Sequence, residues 1–360
     1  MKVVEAIARI LKIEGAEFLS AYPTTPVIEA EARAEIRPVL CRQERVGVGI
    51  ADGYAHVTNG KKLAAFCMQY GPGAENAFPG VATAYSDSTP MLLLPLGHPR
   101  DRAQVFPLFS SARTFASVTK GVETITQGSQ VADVMRRAIS LMRMGRPGPT
   151  MVEIPADVVS EEVSDALVDA YRPVKTTVAG ANARDVEAAA RGLREARRPV
   201  IHAGQGVLYA EASAELVELA ELLQAPVMAT LEGKSAFPED HPLALGTGGP
   251  SVTGQTLHYL READVVLGIG CSFTRHGMAA SIPAGKTIIH ATNDERDLNK
   301  SYVADHPLLG VARLVLRQLV EAVRSLGGRP AGREGVRAAL ERGGGGWLGG
   351  GAAILGSGEG

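Results

Sequence analysis

Cysteine is scarce in this chain, and the three that occur are far apart. Cys41, Cys67 and Cys271 among 360 residues form no C-x-x-C pair. That excludes a disulfide framework and a thiolate zinc site, and it leaves buried thiols in a reducing compartment. An excess of one charge is missing too: 37 Lys and Arg against 39 Asp and Glu give a net charge of -2. The balance offers no electrostatic reason to expect nucleic acid or another polyanion as partner. Long apolar runs are absent. Met91 to Leu96 is the most apolar stretch and is too short to cross a bilayer. The opening MKVVEAIARILKIEGAEF carries charge throughout and has no signal-peptide core. The expectation is a cytoplasmic protein with no membrane partner. Common catalytic signatures are missing as well. There is no H-E-x-x-H and no G-x-S-x-G, and Gly233-Lys234-Ser235 fails as a phosphate loop because Met228 stands where its first glycine is required. The eight histidines are scattered, and His202, after Val200-Ile201, reads as a core histidine.

What is present is an ordinary globular composition, 45% hydrophobic and 21% charged, on a chain long enough for two domains. Val3, Val4, Ile7, Ile10 and Leu11 recur at helical spacing up to Gly15, and residues 17–22 read as a strand. A turn at Pro23-Thr24-Thr25-Pro26 leads to a helix from Val27. Strands at 39–42, 63–68 and 91–96 then alternate with helices at 44–57 and about 76–85, with Gly71-Pro72-Gly73 closing the third strand. Such alternation predicts a mostly parallel sheet covered on both faces. A strand at 150–154 follows, and 160–183 reads as a linker. A second series comprises strands at 200–203, 227–230, 265–269 and 287–290, helix 210–223 and a closing helix 308–326. The predicted organisation is α/β, with two doubly wound, mostly parallel-sheet domains at 1–170 and 184–327. A Gly-rich flexible tail, 328–360, follows, with a hint of a helical turn at 336–340.

Two segments carry chemistry. Cys41-Arg42-Gln43-Glu44 precedes Ala51-Asp52-Gly53-Tyr54-Ala55, and Gln69-Tyr70-Gly71-Pro72-Gly73-Ala74-Glu75-Asn76 leads on to Gly80, Asp87 and Pro90. Taken alone, Glu44 is a helix-end charge or half of an ion pair with Arg42 or Arg45, and the glycine-rich segment is a strand-to-helix turn. Their order, strand-Glu-helix-A-D-G-Y-A and then strand-G-P-G-x-x-N-x-x-x-G, resembles the pyrimidine-binding domain of thiamine-diphosphate enzymes of the acetolactate synthase-like branch. The resemblance runs through Ala21-Tyr22-Pro23, Thr119-Lys120 and Arg146-Pro147-Gly148-Pro149. It continues into the second domain at Gly204-Gln205-Gly206, Thr230-Leu231-Glu232-Gly233-Lys234 and Phe237-Pro238.

The resemblance implies a carboligase or decarboxylase acting on 2-keto acids, with thiamine diphosphate as cofactor. Glu44 would be the catalytic carboxylate that hydrogen-bonds the aminopyrimidine ring. Pro23, Gln69, Gly71, Pro72, Gly73 and Asn76 would line the pyrimidine pocket, and Val46, Val48 and Ile50 would supply apolar surroundings. It also implies Mg2+ on the cofactor diphosphate, held through a G-D-G motif that this sequence lacks. The metal ligands are therefore expected in a missing part or another chain, and no metal site is expected here. A homodimer or homotetramer is implied. The alternative is a non-catalytic fragment or subunit that dimerises but needs a separate diphosphate- and magnesium-binding domain. A flavin (FAD) is also implied by the branch. However, Ser272 and Thr292 replace an arginine and an aspartate common there, and Tyr209 stands in place of the third glycine of G-x-G-x-x-G. Phe106-Pro107, where the synthases carry F-Q, leaves the strict assignment to acetolactate synthesis open.

Overall fold

The computed structural model describes residues 1–22, 24–103, 105–249, 252–277, 279–327 and Arg333. The chain divides into two units, Met1–Thr177 and a second from Val178 onward.

The first unit runs α1 (Val3–Ile13), β1 (Phe18–Ala21), α2 (Thr25–Arg33), β2 (Arg37–Leu40), α3 (Glu44–Val57), β3 (Ala65–Met68), α4 (Pro72–Ser86) and β4 (Leu92–Gly97). It continues with α5 (Ser111–Phe115), β5 (Gly121–Thr124), α6 (Val131–Arg143), β6 (Thr150–Pro155) and α7 (Asp165–Asp169). Its sheet has the order β2-β1-β3-β4-β6-β5 with every pair parallel. Side chains alternate along each strand. Ala65, Cys67, Leu92 and Leu94 therefore join one core with α1, α2 and α6, while Phe66, Met68, Met91 and Leu93 join another with α3, α4 and Phe115 of α5. Burial on both faces explains why Met91 to Leu96 is apolar without a break. From β1 the strand order steps to β2 on one side and to β3 and then β4 on the other. The crevice expected at such a reversal lies beyond the C-terminal ends of β1 and β3.

Two expectations change here. The turn expected at Gly71-Pro72-Gly73 is the start of a helix: Gly71 precedes it with φ +60, and Pro72 opens it. Proline suits that position because the first turn needs no N–H from it and its φ is already helical. The stretch read as a linker packs onto the first unit as far as residue 177. Val168 and Tyr171 are buried in its core, and Glu162 bridges Lys2. The buried Glu14 carboxylate accepts from Arg143 Nη1 (2.7 Å), from the Tyr171 hydroxyl (2.8 Å) and from Val174 N (2.8 Å). One carboxylate thus ties this segment to α1 and α6, a long-range arrangement with no local periodicity to announce it.

The second unit contains α8 (Ala183–Glu195), β7 (Pro199–Ala203), α9 (Gln205–Tyr209), α10 (Ser213–Leu223), β8 (Val227–Ala229), β9 (Ala244–Thr247) and α11 (Gly254–Glu262). It ends with β10 (Val265–Ile269), β11 (Thr287–Thr292), β12 (His306–Leu309) and α12 (Ala312–Ser325). The sheet order is β12-β11-β10-β7-β8-β9, again parallel throughout, with its reversal between β7 and β10. The helix expected at 210–223 starts at Ser213, and a short helix, α9, precedes it, with Glu211 at φ +49 between the two. The helix expected from 308 starts at Ala312, because Leu308 and Leu309 belong to the edge strand β12. Among the described residues no helix is long and apolar enough to cross a membrane. The tail expectation lies outside the described residues except at Arg333. Its buried guanidinium donates to the carbonyls of Leu193, Arg194, Ala196 and Leu223, at the C-terminal ends of α8 and α10.

Candidate active site

The site is built by how closely α3 lies on the first sheet. A Cβ at Gly47 would stand 2.2 Å from Phe66 Cε2 and 2.8 Å from Cys41 Sγ, so only glycine lets the helix come this near. The Ser20 hydroxyl on β1 fixes the approach by donating to the Gly47 carbonyl at 2.7 Å. Glu44, first residue of α3, is thereby carried to the C-terminal edge of the sheet, where its side chain is 7% exposed. The start of a helix favours a carboxylate there.

The opening of α4 forms the opposite wall. Asn76 Nδ2 donates to Glu44 Oε2 at 2.6 Å. A Cβ at Gly73 would stand 3.0 Å from Glu44 Oε1 and 3.1 Å from Gln69 Cβ. One carboxylate oxygen is thus held by Asn76. The other faces bare backbone and has no hydrogen-bond donor among the described residues. Gly71 is buried and needs glycine for its positive φ.

Of the expected pocket residues, the structure brings together Glu44, Gln69, Gly73 and Asn76, with Gly71 at the helix entry. Pro72 is exposed, and Pro23 lies outside the described residues. Of the expected apolar neighbours only Val48 is buried. Val46 is 50% exposed and Ile50 half-buried, because residues two apart on a helix point to different faces. Two residues that sequence reading passed over also reach this edge. Tyr70 lies with its ring 4.6 Å from that of His98, the first residue after β4. The signal available for His98 was its position at the end of a parallel strand.

A shielded carboxylate at the reversal point of a parallel sheet, faced by a glycine backbone and steadied by an asparagine, suits a flat heteroaromatic ring. Two family descriptions match the chain: "Thiamine pyrophosphate enzyme, N-terminal TPP binding domain" over residues 1–128 and "Thiamine pyrophosphate enzyme, central domain" over residues 186–319. The chain belongs to the thiamine pyrophosphate enzymes. Within them it is similar to acetolactate synthase large subunits. It is 34% identical over 341 residues to the "Probable acetolactate synthase large subunit" of Methanocaldococcus jannaschii, covering 91% of this chain and 57% of that protein. It is 33% identical over 335 residues to the protein of the same name from Methanococcus aeolicus, covering 89% and 55%. It is 31% identical over 341 residues to "Acetolactate synthase isozyme 3 large subunit" of Escherichia coli K12, covering 88% and 57%. The chain thus spans little more than half the length of these relatives.

The second unit offers less to a flavin. At its sheet reversal, Gly204 N donates to Ile269 O and Gly206 N to Gly270 O, both at 2.9 Å, so these turn amides are spent within the fold. Ser272 Oγ lies 2.8 Å from Thr274 Oγ1, and Thr292 Oγ1 donates to Asp297 Oδ2 at 3.1 Å. Neither residue presents a charged group, and the residues there do not fit the cofactor. For a metal, no group of three or more His, Cys, Asp or Glu gathers among the described residues.

Proposed function

We propose that this chain forms the pyrimidine-binding and central parts of a thiamine-diphosphate-dependent carboligase or decarboxylase acting on 2-oxo acids, in the manner of acetolactate synthase. The observation that carries the reading is the Glu44–Gly73–Asn76 arrangement: a shielded carboxylate with one oxygen held and the other turned to a glycine wall. When bound, thiamine diphosphate supplies a carbon nucleophile and an electron sink for the 2-oxo acid. Glu44 Oε1 would share a proton with a nitrogen of the aminopyrimidine. Asn76, by holding Oε2, keeps the other oxygen aimed, and Gly73 lets the ring lie against backbone. The proposal places the Mg2+ and diphosphate ligands on another segment or chain, includes no flavin, and puts the protein in the cytoplasm, in keeping with three unpaired cysteines.

The direct test is calorimetric titration of the chain with thiamine diphosphate and magnesium. Binding in the micromolar range is expected. Gly73→Ala, whose methyl would crowd Glu44 Oε1, should weaken it at least tenfold with the fold retained. Equal affinity in the variant would remove Gly73 from the pocket. Absence of heat in both would favour the second reading, that this chain holds the cofactor only when joined to its diphosphate-binding half.

A homodimer or homotetramer belongs to the same proposal. Its support is the outer face of α3, where Val46 and Val57 are 50% and 82% exposed and Gly49 and Gly53 leave open space beside them. Exposed valines flanking glycines suit close packing of a second helix. Sedimentation should show the Val46→Glu, Val57→Glu double variant at lower mass than the parent. An unchanged mass would exclude this face.

A further inference from the structure

One polar atom at the edge of the first sheet has nothing to bind. His98 Nε2 is shielded from solvent and has no hydrogen-bond partner among the described residues. A shielded nitrogen left in that state lowers stability, so its retention calls for an explanation. The ring is not loose. Tyr70 lies against it at 4.6 Å, tilted by 50°, and Tyr70 sits between Gln69 and Gly71 in the segment that walls Glu44. The imidazole therefore stands on the same C-terminal edge as the carboxylate, one strand further along, with its orientation set by the site's own loop.

The anionic end of a 2-oxo acid needs a donor there. Arg100, two residues on, cannot serve. Its guanidinium is committed to Asp157 (2.6 Å), Glu161 (2.7 Å) and the Thr126 carbonyl (2.7 Å). Arg42 and Arg45 are exposed beside Glu44. An imidazole N–H, by contrast, can donate a charge-assisted hydrogen bond to a carboxylate from a shielded position. We propose that His98 is a specificity-determining residue whose Nε2–H donates to the carboxylate of the 2-oxo acid, with Tyr70 as the positioning residue for its ring. The assignment rests on the thiamine-diphosphate reading of the site.

The test is nitrogen-15 NMR on the full chain, titrated separately with pyruvate, acetate and thiamine. Pyruvate should move the His98 ring resonances with an affinity at least tenfold above that of acetate. His98→Phe, which keeps a ring against Tyr70, should lose pyruvate binding at least tenfold while thiamine still shifts the amides of Gly71, Gly73 and Asn76. If those amides respond to thiamine and His98 ignores pyruvate, the proposal is overturned and the reading of the site stands. If acetate acts as strongly as pyruvate, His98 is only an anion contact and the proposal falls. If thiamine leaves the amides unmoved, the reading of the site fails and takes the proposal with it.

Discussion

Replacing Glu31 with glutamine should remove most of the stability loss that the first unit suffers as pH rises from about 5 to 8. Glu31 sits on the inner face of α2 beside Val27 and Ala30, fully buried, and neither carboxylate oxygen has a partner among the described residues. Burial alone pushes its pKa from 4.5 up to about 8. The folded state therefore keeps the proton over a range in which the unfolded chain has released it. The stabilisation is complete below pH 4.5 and is lost as pH rises through about 8. A separation of this size corresponds to about 5 kcal/mol across the whole window. Glu31→Gln keeps the shape and cannot titrate, so urea unfolding followed from pH 5 to 8 should lose its downward slope. Glu31→Met, which also removes two unpaired oxygens, should lie above both at every pH. A parent protein whose stability is flat or rising over that window would contradict the argument.

Glu31 also marks where sequence reading stops. Its neighbours in sequence, Ala30 and Ala32, say nothing about burial, which comes from a sheet assembled out of strands further along the chain. The legible parts were those whose cause is local. The bounds of α3 were read correctly because small and apolar residues recur at helical spacing over Glu44–Val57. Strands β4 and β10 were legible because a sheet covered on both faces needs unbroken apolar runs. Gly71-Pro72-Gly73 was misread because the same residues punctuate a turn and open a helix. Leu308 and Leu309 were misread because a short apolar run suits a strand and a buried helix equally. In the site, the motif pointed to Glu44, Gly73 and Asn76, which the fold brings together. It was silent on His98, whose relevance depends on which strand ends beside β3. Gly47, which sets the distance from α3 to the sheet, is legible only once Phe66 is known to lie beneath it.

Replacing His202 with leucine should have the opposite pH signature to that of Glu31, in the other unit. His202 on β7, Gly268 on β10 and His290 on β11 stand in register across three adjacent strands. The middle position has no side chain, and Phe273 fills it: a Cβ at Gly268 would come within 2.3 Å of Phe273 Cζ. The phenyl ring lies 4.6 Å from His290 and 5.8 Å from His202. Phe273 itself has φ +49. His290 Nε2 has the Cys271 carbonyl at 2.9 Å, whereas neither ring nitrogen of His202 has a partner among the described residues. Burial pulls both imidazoles down, and for His202, with no charged group acting on it, to about 4. The unfolded chain takes up a proton below 6.5 that folded His202 refuses until about 4. Stability is therefore whole above 6.5 and lost as pH falls through that range, by about 3 kcal/mol at the acid end. His202→Leu should lessen the acid loss of the second unit between pH 6.5 and 4, with the part due to buried His290 remaining, and leave the first unit's loss on rising pH, which belongs to Glu31, unchanged. An acid slope as steep in His202→Leu as in the parent would show that other groups carry it. The two windows overlap between pH 4.5 and 6.5 and run in opposite senses there, so each variant is read in its own unit: Glu31 is an acid that must keep its proton as pH rises, and His202 a base that must refuse one as pH falls.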